Sequence, residues 1–202
     1  MQNASRPSRL VLASASARRR DLLASKGLHC EVMPADLDET QQAGESPRVL
    51  VERLAVEKAL AVRRRLPARP RRIVLGSDTV VVLDGEVLGK PRDAEHAVAT
   101  LARLAGRTHS VWTGIAVVAT DAAAPRVCSV ESRVTLRSAA LGELRAYVAT
   151  GEPLDKAGAY GLQGEGRRFV IRVEGSESNV IGLPLDEALA LLAEAGLESE
   201  RG

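Results

Sequence analysis

The dipeptide Asp84-Gly85 lies between two strand-forming runs, residues 80–83 and 86–88, and no other feature of the 202-residue chain limits its fold as tightly. Asp-Gly suits the two central positions of a tight hairpin turn, where both residues take a positive φ, so the flanking runs must pair antiparallel. A two-residue turn also sets the register: Leu83 faces Glu86, Val81 faces Leu88, and Thr79 faces Lys90. A purely parallel sheet is therefore excluded. Elsewhere, short apolar runs alternate with helical patterns, which is the layout of an α/β protein. Together the two signals predict an α/β fold built on a mixed sheet.

Residues 10–13 read as a buried strand, followed by the small-residue loop Ser14-Ala15-Ser16-Ala17 and a helix to about Lys26, which Gly27 stops. Residues 31–33 are expected to form a second strand before the acidic loop 36–39. Ser46 as N-cap and Pro47 at the first helical position open a helix. Its Leu50, Val51, Leu54, Ala55, Ala61 and Val62 recur at helical spacing as far as Leu66. Residues 73–75 read as a strand separate from 80–83. Helices are expected near 93–104, 141–149 and 185–195, and strands near 111–119, 127–136 and 169–173. The Gly-rich stretch 151–166 reads as a long functional loop without regular structure. Residues 1–8 read as a polar tail. No repeat or linker divides the chain, so residues 1–202 are expected to form a single domain.

Composition removes several functional classes. The content is 45% apolar and 27% charged, which is ordinary for a globular protein, and no apolar run approaches the roughly 18 residues that a membrane span needs. The formal charge of +2 suits a small anion in a local basic pocket better than a long duplex on a basic face. Trp112, Tyr147, Tyr160 and Phe169 are the only aromatic residues, too few for a base-stacking platform. Cys30 and Cys128 lack metal-ligand or redox spacing and read as small core thiols of a reducing compartment. The first 20 residues contain no acid, but 9–13 already read as a strand and no secretory apolar region precedes them. The expected location is the cytoplasm.

Ser14-x-Ser16-x-Arg18-Arg19 lies where a strand passes through small residues into a helix. Free N–H groups, hydroxyls and guanidinium groups there suit phosphate oxygens, although an ordinary N-cap before a basic turn would read the same way. The chain holds 28 basic residues, and only Lys26, Lys58, Lys90 and Lys156 are lysines. Lysine is thus a candidate wherever a compact ammonium is needed. Lys58 falls on the apolar stripe of its helix and must either snorkel to solvent or meet an anion. Asp78, in Gly76-Ser77-Asp78-Thr79, reads as the end of a very apolar strand beside Lys90. A carboxylate there can hold a hard divalent cation or orient water, or it can form a plain salt bridge. Glu39 reads as either a second oxygen ligand or solvated charge, and spacing alone favours the latter; Glu57 reads as a surface group, and His29, His96 and His109 as structural. No P-loop, GxSxG or GxGxxG occurs in a suitable context.

With these blocks the chain resembles the Maf family of nucleotide pyrophosphatases. The matching stretches are Leu12-Ala13-Ser14-Ala15-Ser16-Ala17-Arg18-Arg19, Glu57-Lys58-Ala59, Gly76-Ser77-Asp78-Thr79 and Gly89-Lys90-Pro91-Arg92-Asp93. Ser110-Val111-Trp112-Thr113-Gly114, the run from Glu152 to Gly164 (EPLDKAGAYGLQG) and Gly182-Leu183-Pro184-Leu185 follow in order. The resemblance implies an elongated mixed sheet in two lobes with flanking helices, similar to the inosine triphosphate pyrophosphatase fold, with nucleotide in a central cleft. It places functional positions at Ser14, Arg18, Glu39, Lys58, Asp78, Lys90 and Gln163. The block containing Lys156 and Gln163 resembles the branch acting on dTTP and UTP; a 7-methyl-GTP branch typically carries a glutamate near Gln163. Ala17 stands where the family often has Pro, and Gly89 where the pyrimidine branch often has Glu.

The resemblance implies a nucleoside triphosphate as substrate, cleaved to monophosphate and pyrophosphate. Asp78, Lys58 and Lys90 are then catalytic, Ser14, Arg18 and Arg19 bind phosphate, and Gln163 and Lys156 set specificity. Asp78 and Glu39 would hold Mg²⁺ or Mn²⁺. A homodimer is plausible from the family; nucleic acid and membrane are not expected partners. The alternatives are a 7-methyl-GTP pyrophosphatase, or a non-catalytic nucleotide-binding regulator of septum formation.

Overall fold

The computed structural model of the chain describes residues 9–197. The expected tail of residues 1–8 lies outside the described residues. Strand β1 (Leu10–Leu12) leads into helix α1 (Ala17–Ala24), β2 (Cys30–Val32) and the long helix α2 (Pro47–Arg64). Then come β3 (Ile73–Leu83), β4 (Glu86–Leu88), α3 (Ala94–Leu104), β5 (Thr108–Ala119) and β6 (Arg126–Leu136). Helix α4 (Leu141–Val148), β7 (Val170–Glu174), α5 (Glu177–Ile181) and α6 (Leu185–Glu194) complete the order. None of the described helices is long and apolar enough to cross a membrane.

The sheet runs β2-β1-β3-β5-β6-β7, with β4 also paired to β3. Strands β2, β1 and β3 are parallel, and the remaining pairs are antiparallel, giving the expected mixed sheet. The hairpin register is Leu83 opposite Glu86 and Val81 opposite Leu88, and Asp84 and Gly85 both have positive φ, as the turn demands. The ladder ends at Leu88, however, so Thr79 and Lys90 do not pair. Residues 73–75 and 80–83 are not separate strands. Gly76 to Thr79 stay paired with β5, which makes β3 one eleven-residue strand with Asp78 near its middle rather than at its end.

The period-two alternation of β3 sorts its side chains to two faces. Val74, Val80 and Val82 meet α2, while Ile73 and Leu75 pack beneath α6, and Val81 and Leu83 beneath α3 and α4. Two glycines let the backbone of α2 lie directly on the sheet. A Cβ at Gly76 would stand 2.2 Å from the Ala55 carbonyl oxygen, and one at Gly114 would stand 2.2 Å from that of Val51.

Three further expectations are corrected. Residues 151–166 are not irregular throughout: 3-10 turns at Glu152–Asp155, Ala157–Ala159 and Glu165–Phe169 punctuate them, with Gly151 and Gly164 before the first and third and Gly158 within the second at positive φ. Helix α5 was not expected; Ser176 caps it by accepting from the Asn179 N–H. Cys30 and Cys128 are free and pack against the core beneath α6, but half-buried rather than enclosed in it.

Candidate active site

Two short strands share one edge of β3 and leave a gap between them. β1 covers residues 73–75 and β4 covers 81–83, on the side of β3 opposite β5. Among the described residues, 76–80 have no strand neighbour on that side, and a cleft of about 710 Å³ opens there. Its lining comes from the β1–α1 loop, α2, β3, the segment after β4 and the Gly-rich segment. The carboxylate expected at a sheet terminus thus owes its access to a break in strand pairing.

Asp78 points to the α2 face and is 7% exposed. Lys58, one turn beyond Leu54 on the apolar stripe, is 6% exposed and does not snorkel. Its ammonium donates to Asp78 Oδ1 at 2.6 Å and lies 2.6 Å from Glu39 Oε1. One cation therefore gathers two carboxylates from separate segments. Glu39 is not merely solvated charge. Burial pushes its pKa up, but the hydrogen bond from Lys58 and the charges of Lys58, Lys90 and Arg19 outweigh that and hold it below its ordinary value. Asp78 and Glu39 are hard oxygen donors that both reach the Lys58 ammonium. Two such carboxylates suit Mg²⁺ or Mn²⁺ when phosphate oxygens and water supply the other ligands.

Thr79 points to the opposite face, toward the β1–α1 loop. Ser16 caps α1 by accepting from the Arg19 N–H, and the Ser14 hydroxyl accepts from the Ser16 N–H at 3.2 Å. Arg19 is turned inward: it donates to Ser14 Oγ (2.9 Å), Thr79 Oγ1 (3.1 Å) and the Gly182 carbonyl (2.7 Å). Its enclosure lowers the guanidinium pKa, with the Asp78 charge opposing. With these donors engaged, Arg19 braces the loop and β3 together. Arg18 is the more accessible of the pair and donates to Asp155 Oδ2 at 2.8 Å, across the cleft.

Lys90 lines the cleft, exposed, and makes no hydrogen bond among the described residues. On the Gly-rich side, Lys156 donates to Asp155 Oδ1 (2.7 Å) and the Glu152 carbonyl (2.6 Å). Burial raises the Asp155 pKa, but the hydrogen bonds from Lys156 and Arg18 pull it down to about 2. Gln163 is exposed at the cleft wall. The expected site residues Ser14, Arg18, Arg19, Glu39, Lys58, Asp78, Lys90, Lys156 and Gln163 thus all border one cleft, although Arg19 faces protein partners.

Sequence reasoning gave no role to Thr79, Asp155 or the Gly182 carbonyl. That carbonyl accepts from Arg19 and from the Ser77 hydroxyl at 3.3 Å, and Gly182 has a φ of 130°, a region that favours glycine. Arg18 and Asp155 are 137 residues apart, so no local pattern could have paired them. His109 is structural, as expected: its Nε2 and the Tyr160 hydroxyl share a hydrogen bond of 2.7 Å in the core.

Among the described residues, five cations, Arg18, Arg19, Lys58, Lys90 and Lys156, border the cleft against three carboxylates, Glu39, Asp78 and Asp155. An excess of positive charge around a carboxylate pair defines the class: an α/β protein whose cleft is made for a small polyanion. Residues 9–195 match the family model described as Maf-like protein, and the chain belongs to the Maf family. It is 53% identical over 188 residues to a dTTP/UTP pyrophosphatase of Myxococcus xanthus, with 93% of each chain covered. A dTTP/UTP pyrophosphatase of Anaeromyxobacter dehalogenans is 52% identical over 190 residues, covering 93% of this chain and 94% of that one. One of Moorella thermoacetica is 48% identical over 191 residues, covering 95% and 97%. Among solved structures, a nucleoside-triphosphatase/dITP/XTP pyrophosphatase from Mycobacterium abscessus aligns over 92% of this chain and 94% of that chain, at 16% identity and a TM-score of 0.44.

Proposed function

We propose that this protein is a nucleoside triphosphate pyrophosphatase that hydrolyses dTTP and UTP to the monophosphate and pyrophosphate in the cytoplasm. The carrying observation is the Lys58 ammonium, 2.6 Å from both Asp78 and Glu39, inside a cleft bordered by four further cations. The dTTP/UTP pyrophosphatases above, near 50% identical over nearly the whole chain, supply the substrate class.

In this reading the triphosphate enters where β1 and β4 leave β3 uncovered. Ser14 and the N–H groups at the start of α1 position phosphate oxygens. Water attacks the α-phosphorus, Asp78 accepts its proton, and the α–β anhydride bond breaks as pyrophosphate leaves. Arg18, Lys58 and Lys90 offset the charge that accumulates on the departing oxygens. Glu39 and Asp78 are the residues that would hold a Mg²⁺ or Mn²⁺ ion, which would neutralise phosphate charge when bound. Gln163 can both donate to and accept from a base edge, which suits the imide of uracil or thymine.

The test is pyrophosphate release by purified protein with dTTP, UTP and 7-methyl-GTP at matched concentrations, with and without a chelator. Turnover of the pyrimidine triphosphates, lost on chelation and restored by Mg²⁺ or Mn²⁺, is expected. Asp78→Asn should reduce it by at least about a hundredfold. Near wild-type turnover by that variant would remove Asp78 as the base, and preference for 7-methyl-GTP would overturn the substrate assignment.

A further inference from the structure

The segment that presents Gln163 is held from behind by a carboxylate that never enters the cleft. Glu152 Oε2 accepts from the Glu165 N–H (2.9 Å), while Oε1 accepts from the Gly166 N–H (3.1 Å) and the Tyr147 hydroxyl (2.8 Å). The same hydroxyl accepts from the Gly161 N–H at 3.3 Å. Gln163 is thus bracketed on both sides by backbone donors that end on one Tyr–Glu pair. Tyr147 is fully buried on α4 and stacks at a tilt on Phe169, so the anchor belongs to the core rather than the loop.

The glycines of the segment record how closely it wraps this pair. A Cβ at Gly164 would stand 2.7 Å from Glu152 Oε2, and one at Gly166 would stand 2.4 Å from the Tyr147 hydroxyl and 2.5 Å from the Gly161 carbonyl. Burial pushes the Glu152 carboxyl up, but the N–H donors and the Tyr147 hydroxyl outweigh it and hold it below its ordinary range. The carboxylate form is therefore the one that fastens the segment.

We infer that Glu152, braced by Tyr147, is a positioning residue for base selectivity: it fixes the turn from Gly161 to Gly166 so that Gln163 meets the base at one place. This inference rests on the proposed pyrimidine triphosphate activity. The Glu152 carboxylate reaches the cleft only through the segment it holds, whose Gly161, Leu162 and Gln163 line the wall, so its loss weakens base recognition and leaves the phosphate chemistry intact. Glu152→Gln keeps the volume but puts a donor where two N–H groups and a hydroxyl need acceptors.

Steady-state kinetics with UTP, CTP and inorganic tripolyphosphate, which carries no base, test it. For Glu152→Gln we expect the KM for UTP to rise about tenfold, kcat to stay within about twofold, and the preference for UTP over CTP to fall about tenfold, with tripolyphosphate turnover unchanged. Tyr147→Phe preserves the core packing, should act in the same direction, and carries the test if Glu152→Gln does not fold. Equal losses of kcat on all three substrates would overturn the inference. So would unchanged selectivity in both variants while Gln163→Ala loses it, and in that case the proposed function would stand. A wild-type protein that turns over no pyrimidine triphosphate would remove the proposed function itself and this inference with it.

Discussion

Replacing Lys58 by Met keeps the length of the side chain and removes the charge that binds the two carboxylates. Unit charges 2.6 Å apart, as in the Lys58–Asp78 pair, attract by roughly 6 kcal/mol at an effective dielectric of about 20. Desolvation of both groups offsets much of this, and removing one member of a buried pair costs about 3–5 kcal/mol. Glu39, half exposed, adds at most about 1 kcal/mol. We therefore expect Lys58→Met to lose about 3 kcal/mol near neutral pH, a Tm drop of about 6–12 °C for a chain of this size. In the variant Asp78 is a buried carboxylate without a counter-charge, and that uncompensated burial is the source of the deficit. The double variant Lys58→Met/Asp78→Asn should regain most of the stability, because the charge left without its partner, Glu39, is half exposed, yet stay inactive. Urea unfolding at pH 7.5, beside pyrophosphate release, reads all of this. A Lys58→Met protein within about 0.5 kcal/mol of wild type, or a double variant no more stable than Lys58→Met, would refute the buried pair.

Two further outcomes follow from the packing. Gly114→Ala should destabilise by about 3 kcal/mol or more, since its Cβ would stand 2.2 Å from the Val51 carbonyl oxygen, whereas Gly142→Ala, with open space around the new Cβ, should be neutral or mildly stabilising; thermal unfolding compares them. His109, 3% exposed, has its pKa pushed down to about 4 by burial, so the unfolded chain takes up the proton first and stability should fall by roughly 3 kcal/mol as pH drops from about 6.5 to 4. In His109→Gln that part of the slope should vanish, and a slope that persists unchanged in urea titrations would assign it to other groups.

The elements of this fold are legible because their causes are local. Ser46-Pro47 starts α2, Asp84-Gly85 turns the hairpin, and apolar spacing marks which face of each helix or strand is buried. The resemblance to the Maf family named residues that all border the cleft. Why they meet there was not legible. Reading 73–75 and 80–83 as separate strands placed Asp78 at a terminus, because Gly76-Ser77-Asp78-Thr79 looks like a break when only its own composition is considered. Pairing with β5 carries the strand straight through.

The chain alone determined a mixed α/β sheet and the chemical kinds of side chain available, since turn geometry, helix capping and periodicity act within a few residues. Only tertiary structure decided that β1 and β4 share one edge of β3 with Asp78 in the gap between them. It also decided that Lys58 meets Asp78 rather than water, and that Arg18 reaches Asp155 from 137 residues away. Such contacts depend on which strands pair and in what register, and that is settled by burying every apolar face of the molecule at once.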